Sequence, residues 1–215
     1  MSDFSYRAAV FDLDGTLVQS EHLHRESWIE PLARRGMTVD DVTYFRDFAG
    51  KPGMQIIRDH VGLIDAEAES LYHDVNSRYW AIAVDAVQPT AGLVPFLESI
   101  RELPKAVCTS AQRESALRML DLLGLTKFFD AVVTATDVDR GKPDPEPFLL
   151  AAIRLAVKPD TCVAFEDSAN GLISARSAGM ATVGIGPGRG LYADLADDWI
   201  ADFTDSTLEH LMVRT

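Results

Sequence analysis

From residue 93 onward, apolar runs and amphipathic segments alternate strictly along the chain. Lys105 to Thr109, Ala131 to Ala135, Cys162 to Glu166 and Ala181 to Ile185 are short apolar runs that read as strands buried on both faces. Helix-period segments lie around and between them: Leu93 to Arg101, Arg113 to Leu123, Glu146 to Val157 and Ala169 to Ala178. Gly124 and Gly179 supply stops for two of these helices. Trp199 to Phe203 is expected as a last edge strand, followed by a terminal helix near Thr207 to Met212. Such alternation predicts a parallel sheet covered by helices on both sides, a Rossmann-like three-layer α/β core.

One further run, Ala8-Ala9-Val10-Phe11, belongs to this sheet but stands apart from it in sequence. Between about Glu21 and Val87 the pattern is helical and mixed-polar, with no convincing strand. Trp28, Ile29, Leu32 and Ala33 fall at helical spacing before Gly36. A second segment starts at Asp40-Asp41-Val42 and breaks at Gly50-Lys51-Pro52-Gly53, and Met54, Ile57, Arg58 and Val61 resume the period. Ala66 to Val84 forms one more long helix, and Gln88-Pro89-Thr90-Ala91-Gly92 reads as a return hinge. The expected organisation is an α/β core from residues 1–18 and 88–215 with an all-α cap domain, 19–87, inserted over the carboxyl edge of its sheet.

Composition narrows the partners. The 215 residues suit one domain or one domain with an insertion, and 47% hydrophobic with 25% charged residues suffices for a real core. A net charge of −13 argues against nucleic acid or an anionic membrane as partner. A phosphorylated small molecule would feel the same field, so its site needs local cations. Cys108 and Cys162 sit in apolar runs as expected free thiols. No signal-peptide pattern or apolar run of about 20 residues is visible, so a cytoplasmic protein, a monomer by default, is expected.

The ends of the apolar runs carry the chemistry. Asp12-Leu13-Asp14-Gly15-Thr16 follows the first run, where open α/β sheets bind their ligands. A carboxylate there can attack phosphorus and form an aspartyl-phosphate, with its neighbour moving a proton. Thr109-Ser110 offers hydroxyls and backbone N–H groups for phosphate oxygens, or simply a helix cap. Gly141-Lys142-Pro143-Asp144-Pro145 carries a compact cation in a stiff turn, able to neutralise both a phosphate and the Asp12 carboxylate; alone it reads as a solvated loop lysine. Glu166-Asp167-Ser168 presents hard oxygen ligands suited to Mg²⁺, or an N-cap for the helix that follows. Their shared position at successive strand ends favours one phosphoryl-transfer site over independent turns.

In that order the residues resemble the haloacid dehalogenase-like phosphohydrolases, in particular their β-phosphoglucomutase-like and sugar-phosphatase branch. Asp12-Leu13-Asp14-Gly15-Thr16 matches the first motif, Thr109 the second, Lys142 the third and Glu166-Asp167 the fourth. The resemblance implies Asp12 as nucleophile and Asp14 as acid and base. It also implies phosphate contacts from Thr109, Ser110 and Lys142, and Mg²⁺ held by Asp12, the Asp14 carbonyl, Asp167 and Glu166. His24, Lys51 and Arg113 are candidate substrate contacts, each with an equally ordinary reading as a packing or surface residue. The activity implied is hydrolysis of a small sugar or polyol phosphate. A sugar-phosphate mutase is the alternative, weakened because Gly53, Gln112 and Arg113 stand near positions where mutases of the branch carry arginine, lysine and asparagine. A catalytically silent member would lack Asp12, Asp14 or Lys142, and all are present.

Overall fold

The computed structural model describes residues 5–49, 51, 53–186 and 192–212, so Gly50 and Pro52 of the expected Gly50–Gly53 loop lie outside the described residues. Contacts group the described residues into two compact units, one within 1–19 and 88–215, the other within 20–87.

The first unit is built on a wholly parallel sheet. Its strands are β1 (Ala8–Phe11), β2 (Lys105–Cys108), β3 (Ala131–Val133), β4 (Cys162–Glu166), β5 (Ala181–Ile185) and β6 (Asp198–Ile200). They lie in the order β3-β2-β1-β4-β5-β6. The order reverses direction between β1 and β4, which is where doubly wound sheets open a crevice beyond their carboxyl ends. Register is fixed by the alternation of side chains. Phe11 pairs with Phe165, and their rings stack 4.8 Å apart at 5°. Phe96, Phe129 and Phe203 close round Phe11 on that face of the sheet. Val10, Ala106, Cys108, Val133 and Ala164 point to the opposite face, against Phe148 and Ala151. Replacing a ring as buried as Phe11 with alanine would cost about 3–5 kcal/mol. Cys108 and Cys162 are buried and free, as their setting in apolar runs predicts.

Three strands differ from the sequence expectation, β2 only in stopping at Cys108, one residue before Thr109. β3 ends at Val133 because Thr134 opens a short turn, Ala135–Asp137, closed by a reciprocal Thr134–Asp137 capping box. The last strand is Asp198–Ile200 and not Trp199–Phe203, since the Phe203 N–H donates to the Ala91 carbonyl and its ring joins the aromatic cluster.

The second unit is helical. Its long elements are α1 (Glu21–Ala33) and α4 (Asp65–Ala86), with the short α2 (Asp41–Thr43) and α3 (Gly53–Ile56) between them. Trp28, Leu32, Phe48, Ile57, Leu71 and Val75 form its core. Tyr44–Phe48 and Ile57–Val61 are single wide turns of the π type. Each inserts a residue into the helical period, and the second continues the segment expected at helical spacing through Met54, Ile57, Arg58 and Val61. Among the described residues no helix is long and apolar enough to cross a membrane.

In the first unit the sheet is flanked by α5 (Leu93–Ser99), α6 (Arg113–Leu122), α7 (Glu146–Arg154) and α8 (Ala169–Ser177), with α9 (Thr207–Met212) last.

Candidate active site

The site grows from the ends of β1, β2 and β4. Asp12 follows β1, and its N–H donates to the Phe165 carbonyl at 3.0 Å, which continues the sheet for one more residue. The chain then folds back: Leu17 N–H bonds the Leu13 carbonyl at 2.9 Å, and Gly15 N–H bonds the Val18 carbonyl at 2.7 Å. Gly15 has φ +88°, and a Cβ there would lie 2.0 Å from Asp167 Oδ2. Only glycine permits both the left-handed backbone and this approach.

Lys142 arrives from the loop between β3 and α7. That loop is tied by Glu146, whose carboxylate accepts the N–H groups of Asp139 at 2.9 Å and Arg140 at 3.1 Å. Ser174 of α8 reaches the Asp144 carbonyl from the other side at 2.5 Å. Held this way, the Lys142 ammonium donates to Asp12 Oδ1 at 2.6 Å, Glu166 Oε1 at 2.5 Å and the Cys108 carbonyl at 2.8 Å. Its three protons are fully used, and its side chain is 5% exposed. The solvated loop lysine is thus not what the fold makes of this residue.

Glu166 ends β4 fully buried. Its second oxygen accepts the Ser168 N–H at 3.0 Å and the Ser168 hydroxyl at 2.9 Å. Gly171 leaves the space for it, since a Cβ there would meet Glu166 Oε1 at 1.8 Å. Ser168 also caps α8, accepting the Gly171 N–H, so the N-cap reading and the acidic-pair reading both hold. Asp167, beside it, receives the Thr16 hydroxyl at 3.5 Å.

Carboxylate oxygens of Asp12, Glu166 and Asp167 lie within 4.8 Å of one another. Three acids face one ammonium. Burial pushes the Asp12 carboxyl well above the usual range; Lys142 opposes this and Glu166 with Asp167 reinforces it. Burial also pushes Asp167 up, to about 7, with Glu166 adding to the rise and Lys142 opposing it. For Lys142, burial alone would lower the pKa, yet Asp12 and Glu166 hold it well above its ordinary value. The neighbouring cation therefore does favour ionised Asp12, as the sequence suggests, but one ammonium does not offset the burial. A hard divalent cation fits this donor set, because it would supply the positive charge the cluster lacks.

Thr109 is buried after β2. Its N–H donates to the Val133 carbonyl at 2.9 Å and its hydroxyl accepts the Ala111 N–H at 3.0 Å. The N-cap of α6 is Gln112, so neither Thr109 nor the exposed Ser110 caps that helix. Lys142 touches the carbonyl that precedes Thr109, so the structure gathers Asp12, Lys142, Glu166, Asp167 and the Thr109 turn into one place. Arg113 is half exposed and faces Asp137 at 3.4 Å. The helical unit carries the other two candidates. His24 stacks on Tyr79 with ring centroids 4.4 Å apart, and exposed Lys51 lies 3.4 Å from His60 Nε2. Sequence reasoning named Ser168 only within the acidic run and as an N-cap, and passed over Gly171 and Asp137; of these two only Asp137 left a signal, the Thr134-x-x-Asp137 spacing of a capping box.

Known proteins resemble this chain over most of its length. The chain is 36% identical over 189 residues to validoxylamine A 7'-phosphate phosphatase of Streptomyces hygroscopicus, covering 84% of this chain and 85% of that protein. It is 33% identical over 186 residues to fructose-1-phosphate phosphatase YqaB of Escherichia coli, covering 84% and 96%. With the β-phosphoglucomutase of Bacillus subtilis it shares 28% identity over 219 residues, covering 95% and 93%. The haloacid dehalogenase-like hydrolase profile matches residues 6–179, and the chain belongs to that family.

Proposed function

We propose that this protein is a Mg²⁺-dependent phosphatase acting on a small sugar or polyol phosphate through a phosphorylated Asp12. The carrying observation is the buried Asp12–Lys142–Glu166 cluster with Asp167 beside it, at the reversal point of the sheet. Two relatives above 30% identity that bear names of sugar-type phosphate phosphatases support the substrate class.

In this reading Asp12 attacks phosphorus with one oxygen while Lys142 fixes the other. The ester P–O bond breaks as the Asp12–phosphorus bond forms, and Asp14 gives its proton to the departing alkoxide. Asp14 then takes a proton from water, which attacks the phosphoryl group and frees Asp12 and inorganic phosphate. The Thr109 turn holds the equatorial oxygens and the Lys142 ammonium contributes its charge beside them, so the chain's work is placement and charge. Asp12, Asp167 and the Asp14 carbonyl would hold Mg²⁺. Both Glu166 oxygens are engaged, so its part is chiefly to hold Lys142 and add charge. When bound, Mg²⁺ would neutralise the carboxylates and the transferring phosphoryl oxygens.

The mutase similarity supports a second reading, return of the phosphoryl group to another hydroxyl of a bound sugar bisphosphate. A panel of sugar and polyol phosphates followed by phosphorus NMR separates the two. Release of inorganic phosphate from one ester is the expected result. Isomerisation without free phosphate would replace the phosphatase with a mutase, and no change in any ester would refute both.

A further inference from the structure

Asp137 lies outside the strand-end motifs, yet polar contacts converge on it from separate elements. Its Oδ2 accepts the Thr134 N–H at 2.9 Å and the Thr134 hydroxyl at 2.6 Å, and lies 3.4 Å from Arg113 Nη1 at the start of α6. Its Oδ1 accepts Arg154 Nη2 of α7 at 2.6 Å. Arg154 also donates through Nη1 to the Val132 carbonyl of β3 at 2.6 Å. The carboxylate is only 14% exposed. Burial alone would raise its pKa, but Arg154 and Thr134 hold it down at about 2, so it stays charged at any working pH.

The turn that Asp137 shapes is joined to the turn that carries Thr109. Thr109 N–H bonds the Val133 carbonyl at 2.9 Å, and Ala135 N–H bonds the Ala111 carbonyl at 3.0 Å. Arg113 adds a third tie, from the first residue of α6 to Asp137 itself. A short turn has few contacts of its own to fix its direction, and a misplacement of an ångström at a phosphoryl site costs much of its rate. We propose that Asp137 is a positioning residue for the phosphate grip: it sets the Thr134–Asp137 turn and, with Arg113, holds the Thr109–Ala111 turn in its binding direction. This rests on the phosphoryl-transfer reading of the site. It assigns Arg113 a role through Asp137 and not through the substrate.

The test is orthovanadate inhibition of the full-length protein, with Mg²⁺ affinity measured in parallel by calorimetry. Asp137→Asn keeps the shape and an acceptor for Thr134 but loses the charge facing Arg113 and Arg154. Vanadate affinity is expected to fall about tenfold, a typical effect of removing a supporting contact, while the Mg²⁺ dissociation constant stays within about twofold. Parallel weakening of both ligands, or of neither, would overturn the proposal. Arg113→Gln should weaken vanadate in the otherwise native protein and add nothing in Asp137→Asn. An equal loss in both backgrounds would place Arg113 on the anion and overturn its assignment. Should Asp137→Asn fail to fold, Arg154→Met carries the same expectation, since it removes the Oδ1 partner from a helix end. Failure of unaltered protein with Mg²⁺ to bind vanadate would refute the phosphoryl-transfer reading itself, whatever the variants do.

Discussion

Lys142 and Asp12 are 130 positions apart in sequence, and their side chains meet at 2.6 Å. Lys142 also holds Glu166, so a single ammonium spans the ends of β1 and β4. Lys142→Met would leave both carboxylates buried without a cation. Turnover should fall at least about a thousandfold, as on losing an electrostatic group at a developing charge. Stability should drop by about 3–5 kcal/mol, the cost of breaking a buried pair from one side. The loss should shrink at low pH. Burial already raises Asp12, and without Lys142 to oppose the rise it destabilises most above its folded-state value and least below about 4. Urea unfolding at pH 8 and pH 5 checks this; equal losses at both would contradict it.

Gly15 offers a sharper test of the metal reading. A Cβ at Gly15 would overlap Asp167 Oδ2, on a backbone with φ +88°. Gly15→Ala should displace Asp167 and weaken Mg²⁺ binding about 10- to 100-fold, with about 1–2 kcal/mol of backbone strain. Calorimetric titration of Mg²⁺ into the variant measures it. Unchanged affinity would remove Asp167 from the ligand set.

Protons should compete with Mg²⁺. Asp167, raised to about 7 by burial and by Glu166, binds a proton as pH falls below that value. Mg²⁺ must then displace it, so the apparent affinity should weaken by up to about tenfold per pH unit below 7 and level off above it. For the metal-free protein the sign is opposite. A folded-state pKa above the unfolded value destabilises as pH rises from about 4 to 7, so the metal-free fold should gain stability on acidification across that range. Thermal unfolding with and without Mg²⁺ between pH 5 and 8 reads both. A metal-induced stabilisation independent of pH would contradict this account.

Much of the fold could be read from the chain because β1, β2, β4 and β5 are continuous apolar runs, the pattern of strands buried on both faces. β4, β5 and α9 match their expected bounds to the residue. Phe203 misled because an apolar residue beyond a strand end looks like more strand, while its backbone bonds Ala91. The strand-end acids and Lys142 were legible from their positions. The pairing of Lys142 with Asp12 was legible too, but its bonds to Glu166 and the Cys108 carbonyl were not, because they depend on the loop fixed by Glu146 and Ser174. Gly171 left no trace either: its role is empty space beside Glu166, and spacing says nothing about space.

The most direct measurement is mass spectrometry of acid-quenched protein during turnover of an active ester. A transient mass increase of one phosphoryl group, mapped to the peptide that carries Asp12, is predicted. In Asp12→Asn, a near-isosteric change that also relieves buried charge, both the adduct and turnover should vanish while the fold is kept. An adduct on another residue, or turnover retained by Asp12→Asn, would contradict covalent catalysis at Asp12.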